Sequence, residues 1–148
     1  MARHDVVVIG LGRFGAALAL RLEEEGRRVL GVDVDEDVVT SLAEDLRDLA
    51  IAEARDEETL RQLDITADTL VVLGMTNVAA SLMTATALNE LGVREVWAKA
   101  GSRQHVEALR RLGVARIIQP EREAGLSMAE EILHPRLRRP TPPPSGRG

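Results

Sequence analysis

A run of three glycines between an apolar strand and a helix constrains this chain more than any other feature. Gly10, Gly12 and Gly15 have G-x-G-x-x-G spacing and follow the β-branched run Val6 to Ile9, which predicts a parallel strand buried on both faces. The first glycine permits a sharp turn, the second lets a pyrophosphate approach the backbone, and the third allows the helix to pack closely on the sheet. The spacing therefore predicts a dinucleotide-binding turn.

The residues after the turn support this interpretation. Phe14, Leu18 and Leu22 form one apolar stripe of a helix that Gly26 ends, and a second buried strand over 28–32 finishes at Asp33. An acid about 20 residues beyond the glycines accepts hydrogen bonds from ribose hydroxyls in such turns. No arginine stands beside Asp33 for a 2′-phosphate, which disfavours NADP. The alternative is a glycine turn with purely structural duties.

Strand and helix patterns alternate through the rest of the chain. Further strands are predicted at 49–52, 68–73, 95–98 and 114–118, and helices at 35–46, 56–63, 78–91 and 102–112. Parallel neighbours need crossover helices, and these crossovers are right-handed. The pattern predicts an α/β fold, a Rossmann-like, doubly wound, six-stranded parallel sheet with strand order 3-2-1-4-5-6.

The predicted topology defines candidate binding residues. In such sheets a ligand binds outside the carboxyl ends of the strands, at the switch point between strands 1 and 4. We therefore expect one crevice to be formed by the glycine turn, Asp33, the segment 52–55 and the segment 74–77. The candidate cofactor-binding residues, including the sole lysine, are Gly10, Leu11, Gly12, Arg13, Phe14, Gly15, Asp33, Val34, Ala52, Glu53, Ala54, Gly74, Met75, Thr76, Asn77 and Lys99.

Lys99 is a candidate because almost every other cation in the chain is arginine. A position that keeps an ammonium group can require a compact point charge, which contacts a phosphate or pairs with a buried acid. The alternative, that a single lysine among the arginines occurs by chance, is equally compatible with the sequence. No catalytic residue is predicted.

Composition excludes several classes of protein. The 148 residues suit one compact domain, and a net charge of -5 argues against nucleic-acid binding. No apolar run approaches the ~20 residues of a membrane span. The absence of cysteine rules out a disulfide framework, so a cytoplasmic location is expected. The three histidines lack the spacing of metal ligands and are expected to be solvated or locally bonded.

A final helix, predicted over 120–133, has no following strand. Its apolar residues Leu126, Ala129, Ile132 and Leu133 recur at helical spacing and need a surface to pack against. That surface is either the flank of the same domain or a second subunit. The remaining segment 134–148 is rich in proline and arginine, so disorder is expected there.

Four segments of the chain resemble one known family. IGLGRFG, VDVDE at Asp33, VWAKA around Lys99 and RLGVARIIQPEREAG over 111–125 are similar to the nucleotide-binding N-lobe of RCK domains, the regulators of potassium conductance. These domains form the regulatory subunits of the Ktr and Trk potassium-uptake systems. The resemblance covers about residues 4–133, so the domain is assigned to 1–133, with a crossover helix at about 121–133.

The resemblance implies a regulatory rather than catalytic role. Family members are cytoplasmic subunits, peripheral to the inner membrane, that gate a membrane-embedded potassium transporter without entering the membrane themselves. They assemble as dimers in a ring, an octamer in the family, and change shape with ATP, ADP or NAD(H). The resemblance also implies that Arg13 reaches nucleotide phosphates and that Glu121 can join a divalent-cation site for Mg²⁺ or Ca²⁺.

The positions of Arg13 and Glu121 at helix starts can also be interpreted without the family resemblance. A cation in the first turn of a helix faces the positive end of the helix dipole, and a bound anion would reverse that unfavourable placement. The alternative is an arginine turned into water. An acid at a helix start, such as Glu121, is common without a metal. The second lobe that usually follows the crossover helix is absent from the sequence, which leaves coupling to a transporter open.

Two other functions are compatible with a dinucleotide-binding turn. One is an NAD(H)-binding redox sensor for a different partner, and the other is the cofactor domain of a dehydrogenase. The sequence has neither a Ser/Tyr-x-x-x-Lys pattern nor a His-Asp arrangement near the strand ends that would supply hydride-transfer chemistry. We therefore expect a protein that is not an enzyme.

Overall fold

Six strands and six helices alternate through residues 3–135, the part of the chain that this computed structural model describes. The strands are β1 (Val6–Ile9), β2 (Val29–Asp33), β3 (Asp48–Ile51), β4 (Leu70–Leu73), β5 (Glu95–Lys99) and β6 (Arg116–Ile118). The helices are α1 (Arg13–Glu24), α2 (Glu36–Leu42), α3 (Glu57–Gln62), α4 (Val78–Leu91), α5 (Arg103–Arg111) and α6 (Pro120–Leu133).

All neighbouring strands are parallel, and their order is β3-β2-β1-β4-β5-β6. This confirms the predicted fold class and strand order. In register, Ile9 of β1 lies between Val32 of β2 and Leu73 of β4. The strands that flank the switch point therefore end at the same level, and the loops after them share one edge of the sheet.

The two faces of the sheet carry separate apolar clusters. On β1, Val6 and Val8 belong to a cluster packed by α1 and α2, while Val7 and Ile9 belong to a larger cluster with Leu60, Leu88 and Leu109 of the other helices. All four valine and isoleucine side chains of β1 are buried. This explains why β1 is an uninterrupted apolar run, because a strand covered on both faces has no exposed side for polar residues.

Local sequence signals set most helix starts. Asp35, Asp56, Asn77 and Ser102 each accept a hydrogen bond from a backbone N–H of the helix that follows, as N-cap residues do. Strand limits differ from the predicted ones by one or two residues. Among the helices, the largest difference from the predicted limits is at α2, which was predicted to extend to residue 46 but ends at Leu42. The buried side chain of Leu46 therefore lies in the loop after the helix.

Helix α1 packs on the sheet through the predicted apolar stripe, which contacts the cluster of Val6 and Val8, and also through two small residues. Phe14, Leu18 and Leu22 are only half-buried, and the buried face of the helix passes through Gly15 and Ala19. These two small residues are four positions apart, which puts them on one face. The helix therefore lies closer to the sheet than a leucine stripe would allow.

Helix α6 has no buried residue among those described. Leu126 is 53% exposed, and Ile132 and Leu133 are each 68% exposed. Of the two surfaces predicted for this stripe, the flank of the same domain is therefore wrong. No helix within 3–135 is long and apolar enough to cross a membrane. Disorder was predicted for the segment 134–148. From residue 136 onward this segment lies outside the described residues.

Candidate functional site

A cavity of about 400 Å³ opens at the carboxyl edge of the sheet, beside the switch point between β1 and β4. Its walls are the glycine turn after β1, the ends of β2 and β3, the loop after β4, and the first two turns of α4. This is the crevice that the strand order predicts. We call it the switch-point pocket.

Eleven of the candidate residues line the switch-point pocket. They are Gly10, Gly12, Asp33, Val34, Ala52, Glu53, Ala54, Gly74, Met75, Thr76 and Asn77. The other five candidates lie around it. Leu11 and Gly15 are buried residues of the glycine turn and the start of α1. Arg13 and Phe14 are the first two residues of α1, and Lys99 is the last residue of β5.

Asp33 ties the end of β2 to the glycine turn. One carboxylate oxygen, Oδ2, accepts a hydrogen bond from the backbone N–H of Leu11 at 2.7 Å, and Oδ1 accepts one from the N–H of Asp35 at 2.9 Å. Each carboxylate oxygen keeps acceptor capacity, since it has more than one lone-pair site. The side chain is half-buried at the pocket wall, where two ribose hydroxyls could donate to it.

Two glycines hold the turn in a shape that no larger residue allows. A Cβ on Gly15 would lie 1.9 Å from the carbonyl oxygen of Gly10. Gly10 itself has φ +98°, and a Cβ there would lie 2.5 Å from the backbone nitrogen of Met75. The loops after β1 and β4 therefore touch backbone to backbone, which closes one side of the pocket.

Gly12 differs, because a Cβ built there meets nothing within 4 Å. Its φ of -69° is also open to any residue. Gly12 also lines the switch-point pocket. The packing of the protein therefore leaves room for a ligand to approach the backbone at this position.

The N-terminus of α1 has the features of an anion-binding helix end. No side chain caps it, and its first turn contains no acidic residue. Helices α2 to α5 each have a side-chain cap, and the first turn of α6 contains Glu121 and Glu123. Uncapped N–H groups and the positive end of the helix dipole attract negative charge. The start of α1 can thus bind a phosphate.

Lys99 lies in a second hollow of about 240 Å³, which shares Met75 and Thr76 with the switch-point pocket. Glu121 also lines this hollow. The ammonium of Lys99 is 5.9 Å from the centre of the Phe14 ring, within the range of a cation–π contact. Lys99 and Phe14 therefore meet beside the start of α1.

A metal at Glu121 needs further ligands. Within residues 3–135 no group of three His, Cys, Asp or Glu side chains is arranged to hold a metal ion. Structural and catalytic sites usually take at least three protein ligands or several waters and carboxylates. The divalent cation implied by the family resemblance therefore stays a prediction.

Three pocket residues lie outside the predicted segments. They are Ile9, at the end of β1, and Ala80 and Thr84, on the face of α4 that turns toward the pocket. Thr84 is 1% exposed, and its hydroxyl has no hydrogen-bond partner. In the sequence, Ala80 and Thr84 are four positions apart and therefore lie on one face of α4. This spacing could have indicated a pocket wall, but it is equally typical of residues in an ordinary hydrophobic core.

Two histidines are buried, and the prediction that they are solvated or locally bonded is wrong. Nε2 of His105 is 2.9 Å from the hydroxyl of Ser81 on α4, and burial lowers the pKa of His105 below its ordinary value. Nε2 of His4 is 2.9 Å from Oδ2 of Asp48 at the start of β3. Both contacts join segments far apart in sequence, so spacing along the chain could not reveal them.

Comparison with known proteins identifies similar sequences. The TrkA-N domain family matches residues 6–120. The chain is 36% identical over 131 residues to Ktr system potassium uptake protein A of Vibrio alginolyticus, covering 88% of this chain and 60% of that protein. It is also 36% identical over 133 residues to Ktr system potassium uptake protein C of Bacillus subtilis (strain 168), covering 89% of this chain and 58% of that protein. The chain thus spans less than two thirds of the length of these relatives.

Solved structures share the fold at low sequence identity. The NAD(P)-binding domain of an exopolyphosphatase-related protein from Archaeoglobus fulgidus has a TM-score of 0.78 at 22% identity, covering 88% of this chain and 98% of that one. GsuK bound to ADP has a TM-score of 0.80 at 16% identity, covering 90% and 35%. The GsuK channel bound to NAD has a TM-score of 0.71 at 17% identity, covering 79% and 21%. At these identities the likeness shows the fold alone.

Proposed function

The chain belongs to the TrkA-N domain family, and on that premise we propose that it is a nucleotide-binding regulatory subunit for potassium transport. Its ligand is an adenine nucleotide, either ATP and ADP or NAD(H). The domain is not an enzyme: it reports which nucleotide is bound by changing shape. The named relatives are potassium-uptake proteins, and two GsuK structures of the same fold carry NAD and ADP, which share an adenosine diphosphate unit.

One observation carries the nucleotide assignment. A carboxylate at the end of β2, an open glycine and an uncapped helix start occur together at one edge of the sheet. In the proposed complex the ribose hydroxyls donate to Asp33, the pyrophosphate lies over Gly12, and its charge faces the first turn of α1. Arg13, exposed at that turn, extends toward a distal phosphate. Lys99 and Glu121 flank the same end of the ligand from the second hollow.

The proposed partners are a second copy of this chain and a membrane-embedded potassium transporter. The exposed apolar stripe of α6 supports self-association, because its three large side chains, Leu126, Ile132 and Leu133, stay more than half exposed within residues 3–135. Dimers assembled into a ring would lie in the cytoplasm against the transporter, peripheral to the inner membrane. A nucleotide that binds one ring shape more tightly than another would then shift the ring between shapes.

Thermal unfolding with ATP, ADP, NADH and NADPH side by side tests the ligand assignment. A ligand present at 100 times its dissociation constant adds about 2.7 kcal/mol to the free energy of unfolding, which raises Tm by about 5–10 °C for a domain of this size. We expect stabilisation by one or more of the first three and less by NADPH, whose extra phosphate would face the acidic end of β2. Equal Tm values with and without all four ligands would refute the proposal.

A further inference from the structure

Arg55 is the only lysine or arginine among the described residues, 3–135, that line the switch-point pocket. It follows β3, and its side chain extends toward α4. Nη1 lies 3.9 Å from the sulfur of Met83, 28 positions along the chain, and the side chain is 40% exposed. The guanidinium group therefore lies between the loop after β3 and helix α4.

Glu53 holds this arginine in place. Its carboxylate oxygen Oε1 forms an ion pair with Nε of Arg55 at 2.8 Å, and its backbone carbonyl accepts a hydrogen bond from the backbone N–H of Arg55 at 3.0 Å. An ion pair this exposed contributes little to stability by itself. The pair nevertheless places the Glu53 carboxylate next to the guanidinium group beside the cavity.

The pocket has two chemically different ends. In the proposed complex Gly12 and the start of α1 form the phosphate end, and Asp33 lines the same pocket. A group of small residues, Ala54 after β3 and Ala80 and Thr84 of α4, lines the second end. A ribose on Asp33 with its phosphates over Gly12 directs the base toward that second end. The base end is built of small side chains and leaves room for a flat ring.

No described residue that lines the pocket carries an aromatic ring. The whole chain has one Phe, one Trp and no Tyr, and both rings lie elsewhere, against Lys99 and Arg116. A nucleobase usually stacks on an aromatic ring or on a guanidinium plane. Of the groups at the base end, only Arg55 offers such a plane.

We propose that Arg55, positioned by Glu53, stacks its guanidinium on the adenine base of the bound nucleotide. This inference rests on the nucleotide-binding function proposed above and adds the residue that recognises the base. The competing role, contact with a phosphate, is disfavoured by geometry and charge. Glu53 pairs with Arg55 directly, and Asp33 lines the same wall, so a phosphate placed there would face two carboxylates.

Calorimetric titration of three variants with AMP, ADP, ATP, NADH and NADPH tests the stacking. Arg55→Ala removes the plane and the charge, while Arg55→Lys removes only the plane. Arg61→Ala is the matched control, because Arg61 forms a similar ion pair with Glu57 at 2.8 Å and does not line the pocket. Both Arg55 variants should bind about 3- to 10-fold more weakly, by the same factor for AMP, ADP, ATP and NADH, since all four contain adenosine.

The positioning role of Glu53 has its own readout. Glu53→Gln should weaken binding in the wild-type background but cause no further loss in the Arg55→Ala background, as a double-mutant cycle requires for residues that act through one contact. Full affinity of Arg55→Lys, or a loss confined to NADPH, would show that Arg55 acts through its charge and would overturn the stacking. Unchanged affinity of Arg55→Ala would overturn this inference alone. If the wild-type protein binds none of the five ligands, both this inference and the proposed function are wrong.

Discussion

The carboxylate of Asp33 accepts a hydrogen bond from the backbone N–H of Leu11 at 2.7 Å, and this contact gives Asp33 two roles. It fixes the glycine turn against the end of β2 before any ligand arrives. It also presents the free lone pairs of the same carboxylate to the pocket. The acid is thus part of the fold and of the proposed ribose site at once.

The first prediction follows from these two roles of Asp33. Asp33→Ala should lower the free energy of unfolding by about 1–3 kcal/mol and weaken ATP and NADH binding by about 1.5–3 kcal/mol, since hydrogen bonds to a charged acceptor are lost in both cases. Denaturant unfolding and calorimetry measure the two effects. The control Asp35→Ala removes the cap of α2, costs about 1 kcal/mol of stability and should leave affinity unchanged. Equal affinity loss in both variants would contradict a ribose contact at Asp33.

The second prediction separates two glycines of one motif. Gly15→Ala should destabilise the domain by about 3 kcal/mol, because its Cβ would overlap the carbonyl of Gly10. Gly12→Ala should keep its stability, since the space is open, but should weaken nucleotide binding roughly tenfold or more because the methyl group occupies the path of the pyrophosphate. Denaturant unfolding and calorimetry compare the pair. A folded Gly12→Ala protein with wild-type affinity would place the ligand elsewhere.

The third prediction concerns Arg13. It is exposed, begins α1 and does not line the switch-point pocket, so it can contact only a phosphate that extends beyond Gly12. Arg13→Ala should leave ADP and NADH affinity within a few-fold while removing most of any preference for ATP. Arg103→Ala is the control, because Arg103 is the first residue of α5. Calorimetry that finds equal losses for all three nucleotides would make Arg13 a general pyrophosphate residue.

The fourth prediction is a pH dependence from His105. Burial lowers its pKa in the folded protein, so the unfolded chain, with an ordinary pKa of about 6.5, binds the proton more readily. The free energy of unfolding should therefore fall as the pH is lowered through about 6.5, and His105→Gln should show a smaller fall. Exposed His134→Gln should follow the wild type. Parallel curves for wild type and His105→Gln in denaturant unfolding from pH 7.5 to 5 would contradict this account.

The fifth prediction concerns assembly through α6. Light scattering should find at least a dimer, and Ile132→Glu should shift it toward monomer. Because Ile132 is 68% exposed, the free energy of unfolding of the monomer should change by less than about 0.5 kcal/mol. Ile51→Glu is a suitable control, since Ile51 is 54% exposed on β3. A wild-type monomer at tens of micromolar, with or without nucleotide, would refute the prediction.

The sequence by itself determined the architecture and the position of the glycine turn that lines the pocket. Runs such as Val6 to Ile9, caps such as Asn77 and glycines at fixed spacing act on residues a few positions away, so each can be interpreted without the rest of the molecule. Because crossover handedness leaves few topologies, these local elements were enough to predict the strand order. Asp33 followed from the same reasoning, since it ends the strand next to the turn.

The sequence also placed the segment 52–55 in the crevice, but only the tertiary structure decided which residues of α4 this segment meets and what fills the core between α4 and α5. Arg55 reaches Met83 across 28 positions, and His105 reaches Ser81 across 24. Such contacts depend on how helices settle on the sheet, and the same residue types are common at ordinary surface or core positions. The periodicity of a sequence predicts which face of a helix or strand a residue occupies. The residue that it contacts depends on how distant segments pack together.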